Sequence, residues 1–330
     1  IHLITAFVTD SYGNVDVAAP INANVVDVDY GLGATVGDIT FGDRLRIGPN
    51  SYDSSTAHTG LTIASLTTTT ASNGEYIPQI SANEDILFTG DVWLEGNRSL
   101  WVTPYESTNP DVTFEGGLYI EGTLMVHGMN AFNFSPSKRA GMFAFQVDVD
   151  LRGSNPSVSG GTIFADSDLV FKAQQDLSVT LHGIKNNGIL SFESTGDGEG
   201  GGYGTLDING EIAQLGGLFS ITNMEVNLAQ SVNISSSESS GLTSNGPTTF
   251  FAADVIRSEG GVRLTHNQGV TVQDQITSVG GNIDMFVGNG TIDLADLIVE
   301  DWGSVELDAQ SGITTGEVVS IGSVDMLNFS

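Results

Sequence analysis

The C-terminal stretch decides the fold: residues 260–326 read GGVRLTHNQGVTVQDQITSVGGNIDMFVGNGTIDLADLIVEDWGSVELDAQSGITTGEVVSIGSVDM. Four segments in it begin with glycine and continue with alternating apolar residues: Gly261–Leu264, Gly281–Met285, Gly303–Leu307 and Gly322–Met326. In each complete copy a second glycine-led run follows, at 269–272, 290–294 and 312–315, and then a third short apolar run, at 276–279, 297–299 and 318–321. This period-two alternation predicts three short β-strands in each repeat of about 20–22 residues.

Three short strands between glycine corners predict one coil of a parallel β-helix, and hence an all-β protein. Each strand has one apolar face, and stacked coils bury these faces in a continuous core. The residues expected to point inward are Val262, Leu264, Val270, Val272, Ile283, Met285, Ile292, Leu294, Val305 and Leu307. Those expected to point outward are Asp284, Asp293, Glu306 and Asp325. The glycines are expected where the chain turns with positive φ.

The same pattern continues toward the N-terminus with less regular spacing. Glycine doublets stand at 116–117, 160–161, 216–217, 260–261 and 280–281. We therefore predict a β-solenoid over residues 83–330 and an atypical region over residues 1–82, which has no glycine doublet. That region is expected to be a β cap on the open end of the solenoid or a small β-domain for assembly. Tandem β-sandwiches with antiparallel hairpins are the alternative fold for the chain.

Composition and charge exclude several classes of protein. The chain of 330 residues has 40 acidic and 10 basic side chains, a net charge of −30 and no cysteine. A disulfide scaffold and a cysteine-ligated metal site are impossible, and a surface this anionic predicts no nucleic-acid partner. The sequence contains no run of 18 apolar residues, so it predicts no membrane-spanning helix. Strong acidity without cysteine favours an exported protein, extracellular or at the cell surface, whose targeting segment has been removed before Ile1.

The sequence pattern of the repeats resembles that of a known family. Residues 260–330, with GGNIDM at 280–285 and GSVELDAQSGITTG at 303–316, resemble filamentous-haemagglutinin-type repeats, and the likeness extends diffusely back to residue 83. Such repeats form right-handed parallel β-helices in large secreted bacterial adhesins. The resemblance implies a β-helix and an exported protein. The asparagine-proline motifs of the secretion domain of such adhesins are missing here, so no particular partner is implied.

A structural role is the function that these patterns predict. We expect an exported subunit of an extracellular filament or surface layer, or a segment of an adhesin, whose partners are copies of itself. The first segment is apolar at Ile1, Leu3, Ile4, Phe7 and Val8, which predicts assembly by β-strand addition to a neighbouring copy. Axial stacking of open solenoid ends is a second route. The alternative for this segment is pairing within its own domain.

A carbohydrate-binding or polysaccharide-cleaving β-helix protein is the alternative function. Stacked coils are expected to bring acidic residues together on one face, and the candidates are Asp284, Asp293, Asp296 and Asp308. Paired carboxylates cleave polysaccharides, but a chain with forty acids forms such clusters without function, and no pectin-hydrolase triplet is present. We therefore predict no enzyme, no catalytic residue and no required cofactor. The aromatic residues Trp93, Trp101, Tyr105 and Tyr119 are expected to pack in the core or at corners, with stacking on surface glycans as the alternative.

Calcium is the metal that the sequence favours. Asp197, Glu199 and Asp207 flank the glycine-rich run at 196–204, and Ca²⁺ takes carboxylate and carbonyl oxygens from flexible loops. These three residues are the candidate ligands. The alternative is an exposed loop without metal.

Overall fold

The computed structural model describes residues 3–10, 13–49, 60–68, 76–105, 109–135, 142–195, 203–235, 241–301, 303–320 and 324–328. These residues form β-strands and no helix, which confirms the predicted all-β class. Nothing in the described part is therefore a helix of the length and apolarity needed to cross a bilayer. The chain folds as two compact units, residues 1–164 and 165–330.

The first unit contains fourteen strands, the last of which ends one residue beyond it. They are β1 (Leu3–Asp10), β2 (Asn14–Val17), β3 (Ile21–Tyr30), β4 (Gly33–Pro49), β5 (Leu61–Thr68), β6 (Gln79–Ala82), β7 (Ile86–Phe88), β8 (Val92–Leu94), β9 (Leu100–Pro104), β10 (Asp111–Phe114), β11 (Leu118–His127), β12 (Ala131–Phe134), β13 (Met142–Leu151) and β14 (Ser157–Ala165).

Strands of successive coils pair in parallel along the faces of this unit. One column runs β1–β3–β4–β6–β9–β11–β13. A second runs β4–β5–β8–β11–β13, and a third runs β5–β7–β10–β12–β14. Parallel pairing thus begins at Leu3 and continues past residue 82. The cap or assembly role of residues 1–82 stays a prediction.

The second unit contains the remaining strands. They are β15 (Leu169–Ala173), β16 (Ser178–Asn186), β17 (Leu190–Ser194), β18 (Gly204–Ile208), β19 (Ile212–Gln214), β20 (Phe219–Thr222), β21 (Met224–Leu228), β22 (Val232–Ile234), β23 (Leu242–Gly246), β24 (Thr249–Ala252), β25 (Ile256–Ser258), β26 (Val262–His266), β27 (Gly269–Val272), β28 (Ile276–Ser278), β29 (Ile283–Val287), β30 (Thr291–Leu294), β31 (Leu297–Val299), β32 (Val305–Ala309), β33 (Gly312–Thr314), β34 (Val318–Ser320) and β35 (Val324–Asn328).

This unit has three faces, each a column of parallel strands. The columns are β15–β17–β20–β23–β26–β29–β32–β35, β16–β18–β21–β24–β27–β30–β33 and β16–β19–β22–β25–β28–β31–β34. Three strands per coil and a parallel register confirm the predicted β-solenoid. The β-sandwich alternative is wrong, because its hairpins require antiparallel neighbours.

Alternation along the strands separates the core from the surface. All ten residues predicted to point inward, from Val262 to Leu307, are buried. Glu306 and Asp293 are exposed and Asp284 is half-buried, as expected for outward positions. Like side chains meet across coils in the core, as where the rings of Phe171 and Phe192 stack 5.2 Å apart. Each strand thus pairs edge to edge within its own column and buries its inward face against the other columns of its unit.

Close approach of coils, more than turning, explains the glycines. Among the described doublets only Gly217 has a positive φ, of 70°. Gly303 and Gly312, which begin two runs of the repeat, have φ of 146° and 148°, so the expectation of positive φ holds at these corners and is wrong for most of the doublets. A methyl group on Gly116 would instead overlap the backbone of Gly90, one coil away. Neighbouring coils are about 4.8 Å apart, and only a residue without a side chain lets the corners come that close.

Candidate ligand-binding groove

Side chains of three successive coils, all outward except that of Met285, line a groove in the second unit. The groove has a volume of about 350 Å³, and its lining residues are Arg263, Thr265, Asp284, Met285, Phe286, Glu306 and Asp308. They lie on β26, β29 and β32, which are neighbours in one column. Because rigid sheet backbone carries these side chains, their spacing is fixed before any ligand arrives.

Two rows of outward residues cross the three strands in register. Arg263 pairs with Asp284, which pairs with Glu306. Beside this row, Thr265 pairs with Phe286, which pairs with Asp308. Strand spacing puts adjacent members of each row about 4.8 Å apart at their Cα atoms. We call these six residues the groove residues.

Phe286 is the exposed aromatic residue of the groove. Its side chain is 51% exposed although it lies mid-strand. Its neighbours in register, Thr265 and Asp308, carry no ring, so Phe286 is not part of an aromatic stack. A phenyl ring in this setting offers an apolar face to a ligand, bordered by polar groups.

The charges of the groove are unbalanced. Three carboxylates, of Asp284, Glu306 and Asp308, face one guanidinium, of Arg263, which leaves a formal charge of −2. Burial raises the pKa of the Asp284 carboxyl, and the positive charge of Arg263 offsets part of that rise. Within the described part of the chain Arg263 comes within ion-pair distance of no carboxylate. The groove therefore holds polar groups that a ligand can engage.

Arg257 is used differently, although it lies only six residues away. Its Nη1 and Nη2 atoms donate to the two carboxylate oxygens of Glu300, at 3.0 and 3.3 Å. This pair connects β25 with the corner after β31, on another face of the unit. Arg257 thus stabilises coil stacking and takes no part in the groove.

The predicted acidic cluster forms only in part. Asp284 and Asp308 meet in the groove, as stacking predicted. Asp293 is exposed on β30, which belongs to another column. Asp296 lies at the following corner, where its Oδ1 accepts a hydrogen bond from the backbone N–H of Glu317 at 2.9 Å. These two carboxylates are apart from the groove because each coil changes direction between β29 and β31.

The four aromatic residues that the sequence analysis singled out in the first unit, Trp93, Trp101, Tyr105 and Tyr119, are not in its core. Trp93, Trp101 and Tyr105 are exposed, so the core packing that was expected as one possibility is wrong for them, whereas Tyr105 does lie at a corner, directly after β9. Trp93 stacks on Tyr119 with ring centroids 4.2 Å apart, and Tyr119 stacks on Phe143 at 4.9 Å. The rings of this ladder cover each other's faces. Its contribution is to hold coils together.

The candidate calcium ligands are only partly within the described structure. Asp197 and Glu199 lie outside the described residues. Asp207 is half-buried on β18, and its Oδ1 accepts a hydrogen bond from Asn227 Nδ2 at 3.0 Å. In the described ranges no group of three His, Asp or Glu side chains is arranged to hold a metal. Calcium binding stays a prediction.

The candidate assembly segment forms strand β1. Ile1 lies outside the described residues, whereas Leu3, Ile4, Phe7 and Val8 belong to β1. This strand pairs in parallel with β3, with Phe7 opposite Asp27 and Val8 opposite Val28. Val8 is half-buried, and Phe7 is 72% exposed. β1 thus pairs within its own chain along one edge and presents a phenyl ring to solvent.

Comparison of the chain with family models, curated proteins and solved structures gives no match. The likeness to haemagglutinin-type repeats therefore rests on the sequence pattern. The β-solenoid that it implies is present.

Proposed function

We propose that this chain is an adhesive segment of an exported cell-surface β-solenoid and that the groove of its second unit binds a glycan. The observation that carries the proposal is Phe286, half-exposed on a strand and surrounded by charged and hydroxyl groups. A solenoid supplies a rigid scaffold, and the groove supplies the contact.

A sugar ring matches both kinds of surface in the groove. Its C–H face packs on an aromatic ring, while its hydroxyl groups donate to carboxylates and accept from a guanidinium. Phe286 provides the ring, Asp284 and Glu306 provide acceptors, and Arg263 provides a donor. Because strands fix the backbone at all four positions, binding requires ordering of side chains but not of the main chain.

A glycan array followed by titration calorimetry tests this proposal. We expect Phe286→Ala to weaken binding about tenfold, as for the loss of one stacked ring and its buried area. Phe145→Ala is the matched control, because Phe145 is 48% exposed on β13 of the first unit and its loss is expected to leave affinity unchanged. Absence of binding to any glycan, or equal loss in both variants, would contradict the proposal.

Self-association is the second candidate function, and β1 favours it. In the described structure this strand is paired only with β3, and Phe7 projects into solvent. A second copy that adds a strand to the other edge of β1 would extend the parallel column. We therefore expect ordered filaments or sheets by electron microscopy as concentration rises.

Deletion of residues 1–8 is the test of this route. We expect the deletion to abolish the polymers while the β-rich circular dichroism is retained. Phe7→Ala, which keeps the strand backbone, separates loss of the ring from loss of the edge. Polymers that persist after the deletion, or single particles of the intact chain at every concentration, would contradict strand addition.

A further inference from the structure

The charge of the groove selects among glycans, provided that the groove binds one as proposed above. Its carboxylates outnumber its guanidinium by three to one, and the chain as a whole carries a charge of −30. A polysaccharide of uronic acids would bring further carboxylates into this field and be repelled. A neutral glycan would gain nothing from the excess charge. A glycan with ammonium groups would be attracted.

The arrangement of the charges sharpens this selection. Arg263 stands at one end of its row, while Asp284 and Glu306 follow on the next two coils. Asp308 lies beside Glu306 on β32, and Asp308 also follows Phe286 in its row. The acidic end of the groove thus has the carboxylates of Asp284, Glu306 and Asp308 on two adjacent coils, and the guanidinium of Arg263 lies at the opposite end.

A ligand cation would relieve the negative charge of Asp284. Burial raises the pKa of this group, which means that its negative charge is poorly solvated where it stands. A ligand ammonium beside Asp284 and Glu306 would form charge-assisted hydrogen bonds with both. The exposed ring of Phe286 adds a cation–π contact for a sugar seated on it.

We propose that the groove binds an amine-bearing glycan, an oligomer or polymer of deacetylated amino sugar, with its ammonium groups at Asp284 and Glu306 and a sugar ring on Phe286. Arg263 opposes such a ligand. Arg263 is thus the groove residue whose removal should raise the preference for the amine form over the acetylated form.

Glucosamine and N-acetylglucosamine oligomers of equal length test this inference, because they differ only in the amine. Titration calorimetry in mildly acidic buffer keeps the amines protonated. We expect the amine form to bind about tenfold more tightly, and added salt to reduce that ratio. Asp284→Asn and Glu306→Gln should each reduce the ratio several-fold. Asp293→Asn, which removes an exposed carboxylate from another face of the same coil, should leave it unchanged.

Arg263→Gln gives a test of opposite sign. For an amine-bearing ligand this substitution should raise the ratio of amine to acetylated affinity, whereas for a uronic-acid ligand it should abolish binding. Circular dichroism and thermal melts of each variant show whether it is folded. Equal or tighter binding of the acetylated oligomer would overturn the inference, and if Phe286→Ala still weakened that binding, the proposed glycan groove would stand. Binding of neither oligomer nor any other glycan would overturn both.

Discussion

Ser244 and His266 are hydrogen-bonded inside the core of the second unit, with Ser244 Oγ and His266 Nε2 2.9 Å apart and both side chains buried. They lie on β23 and β26, adjacent strands of one column, and His266 is in register with Gly246. The ring of Phe250 lies 5.6 Å from the imidazole. Burial lowers the pKa of His266 to about 4, so the imidazole is neutral at neutral pH.

This buried imidazole predicts a loss of stability in acid. The pKa of His266 is about 4 in the folded state and near 6.5 when unfolded, so the unfolded state binds the proton first. The contribution of the neutral side chain is complete above about pH 6.5, and it falls as the pH drops toward 4. By linkage the loss reaches about 3 kcal/mol.

Chemical denaturation over a pH series measures this effect. The free energy of unfolding of the wild type should fall more steeply between neutral pH and pH 4 than that of His266→Gln, since glutamine does not titrate. His182→Gln, which removes an exposed imidazole from β16, is the matched control and should follow the wild type. Identical pH curves for wild type and His266→Gln would refute the assignment.

Alanine substitutions at the two glycines of the doublet at 116–117 are expected to change stability by very different amounts. A Cβ on Gly116 would overlap the carbonyl group of Gly90, whereas a Cβ on Gly117 would meet Asp91 Oδ1 at an ordinary 3.4 Å. We expect Gly116→Ala to destabilise the first unit by several kcal/mol, because backbone must move. Gly117→Ala should cost less than about 1 kcal/mol. Thermal melts compare the two, and similar melting temperatures would show that corner contact does not require glycine.

Tyr119 and Phe286 are expected to separate stability from binding. Tyr119 lies between Trp93 and Phe143 in a stack, so Tyr119→Ala should lower the free energy of unfolding by about 2–3 kcal/mol without change in glycan affinity. Phe286→Ala should weaken glycan binding without change in the free energy of unfolding. Chemical denaturation gives the free energy of unfolding of each variant, and calorimetry gives its glycan affinity. Loss of glycan affinity in Tyr119→Ala, with the fold intact, would move the binding site to the first unit.

Arg98 is a buried cation for which we expect a structural role. Its side chain is 3% exposed, its Nη1 donates to the carbonyl oxygen of Asp43 at 3.0 Å, and its guanidinium carbon lies 5.2 Å from the ring centroid of Phe41. Arg98→Ala should lower the free energy of unfolding by about 3 kcal/mol, because buried carbonyl groups lose their donor.

Arg152→Ala is the comparison for Arg98. The Arg152 side chain is 53% exposed and pairs with Asp150 at 3.0 Å, so its loss should cost less than about 1 kcal/mol. Urea denaturation of both variants gives the ratio. A smaller effect for Arg98 than for Arg152 would contradict a structural role for the buried guanidinium.

Calcium has a direct thermal test. If Asp197, Glu199 and Asp207 ligate Ca²⁺, the melting temperature should be higher with excess calcium than with chelator, because a ligand that binds only the folded state stabilises it. Asp207→Asn should reduce the difference. Equal melting temperatures would remove the calcium hypothesis.

Much of the fold could be predicted from the sequence because strand alternation is local. In Ile283–Val287 every second residue is buried, and the strand signal and the inward direction come from the same five letters. Coil stacking repeats that pattern at intervals of 20–22 residues, which identifies a solenoid. The reason for the glycines was misjudged, since contact between Gly116 and Gly90 depends on coils 26 residues apart in sequence.

The groove was only half visible in the sequence. Stacking of repeats brings equivalent outward positions together, which places Glu306 beside Asp284 and Asp308 diagonally from it. Phe286 was missed, although its place between inward Met285 and Val287 assigns it to the outer face. An apolar residue at an outward position was the available signal. Which acids share a face depends on where each coil turns, and that geometry cannot be derived from spacing alone.

A crystal structure of the chain with the oligosaccharide that binds most tightly tests the central claim most directly. The account predicts a sugar ring packed on Phe286, with its polar groups at Asp284 and Glu306. A sugar seated on Trp93 or Trp101, with the groove of the second unit empty, would contradict it.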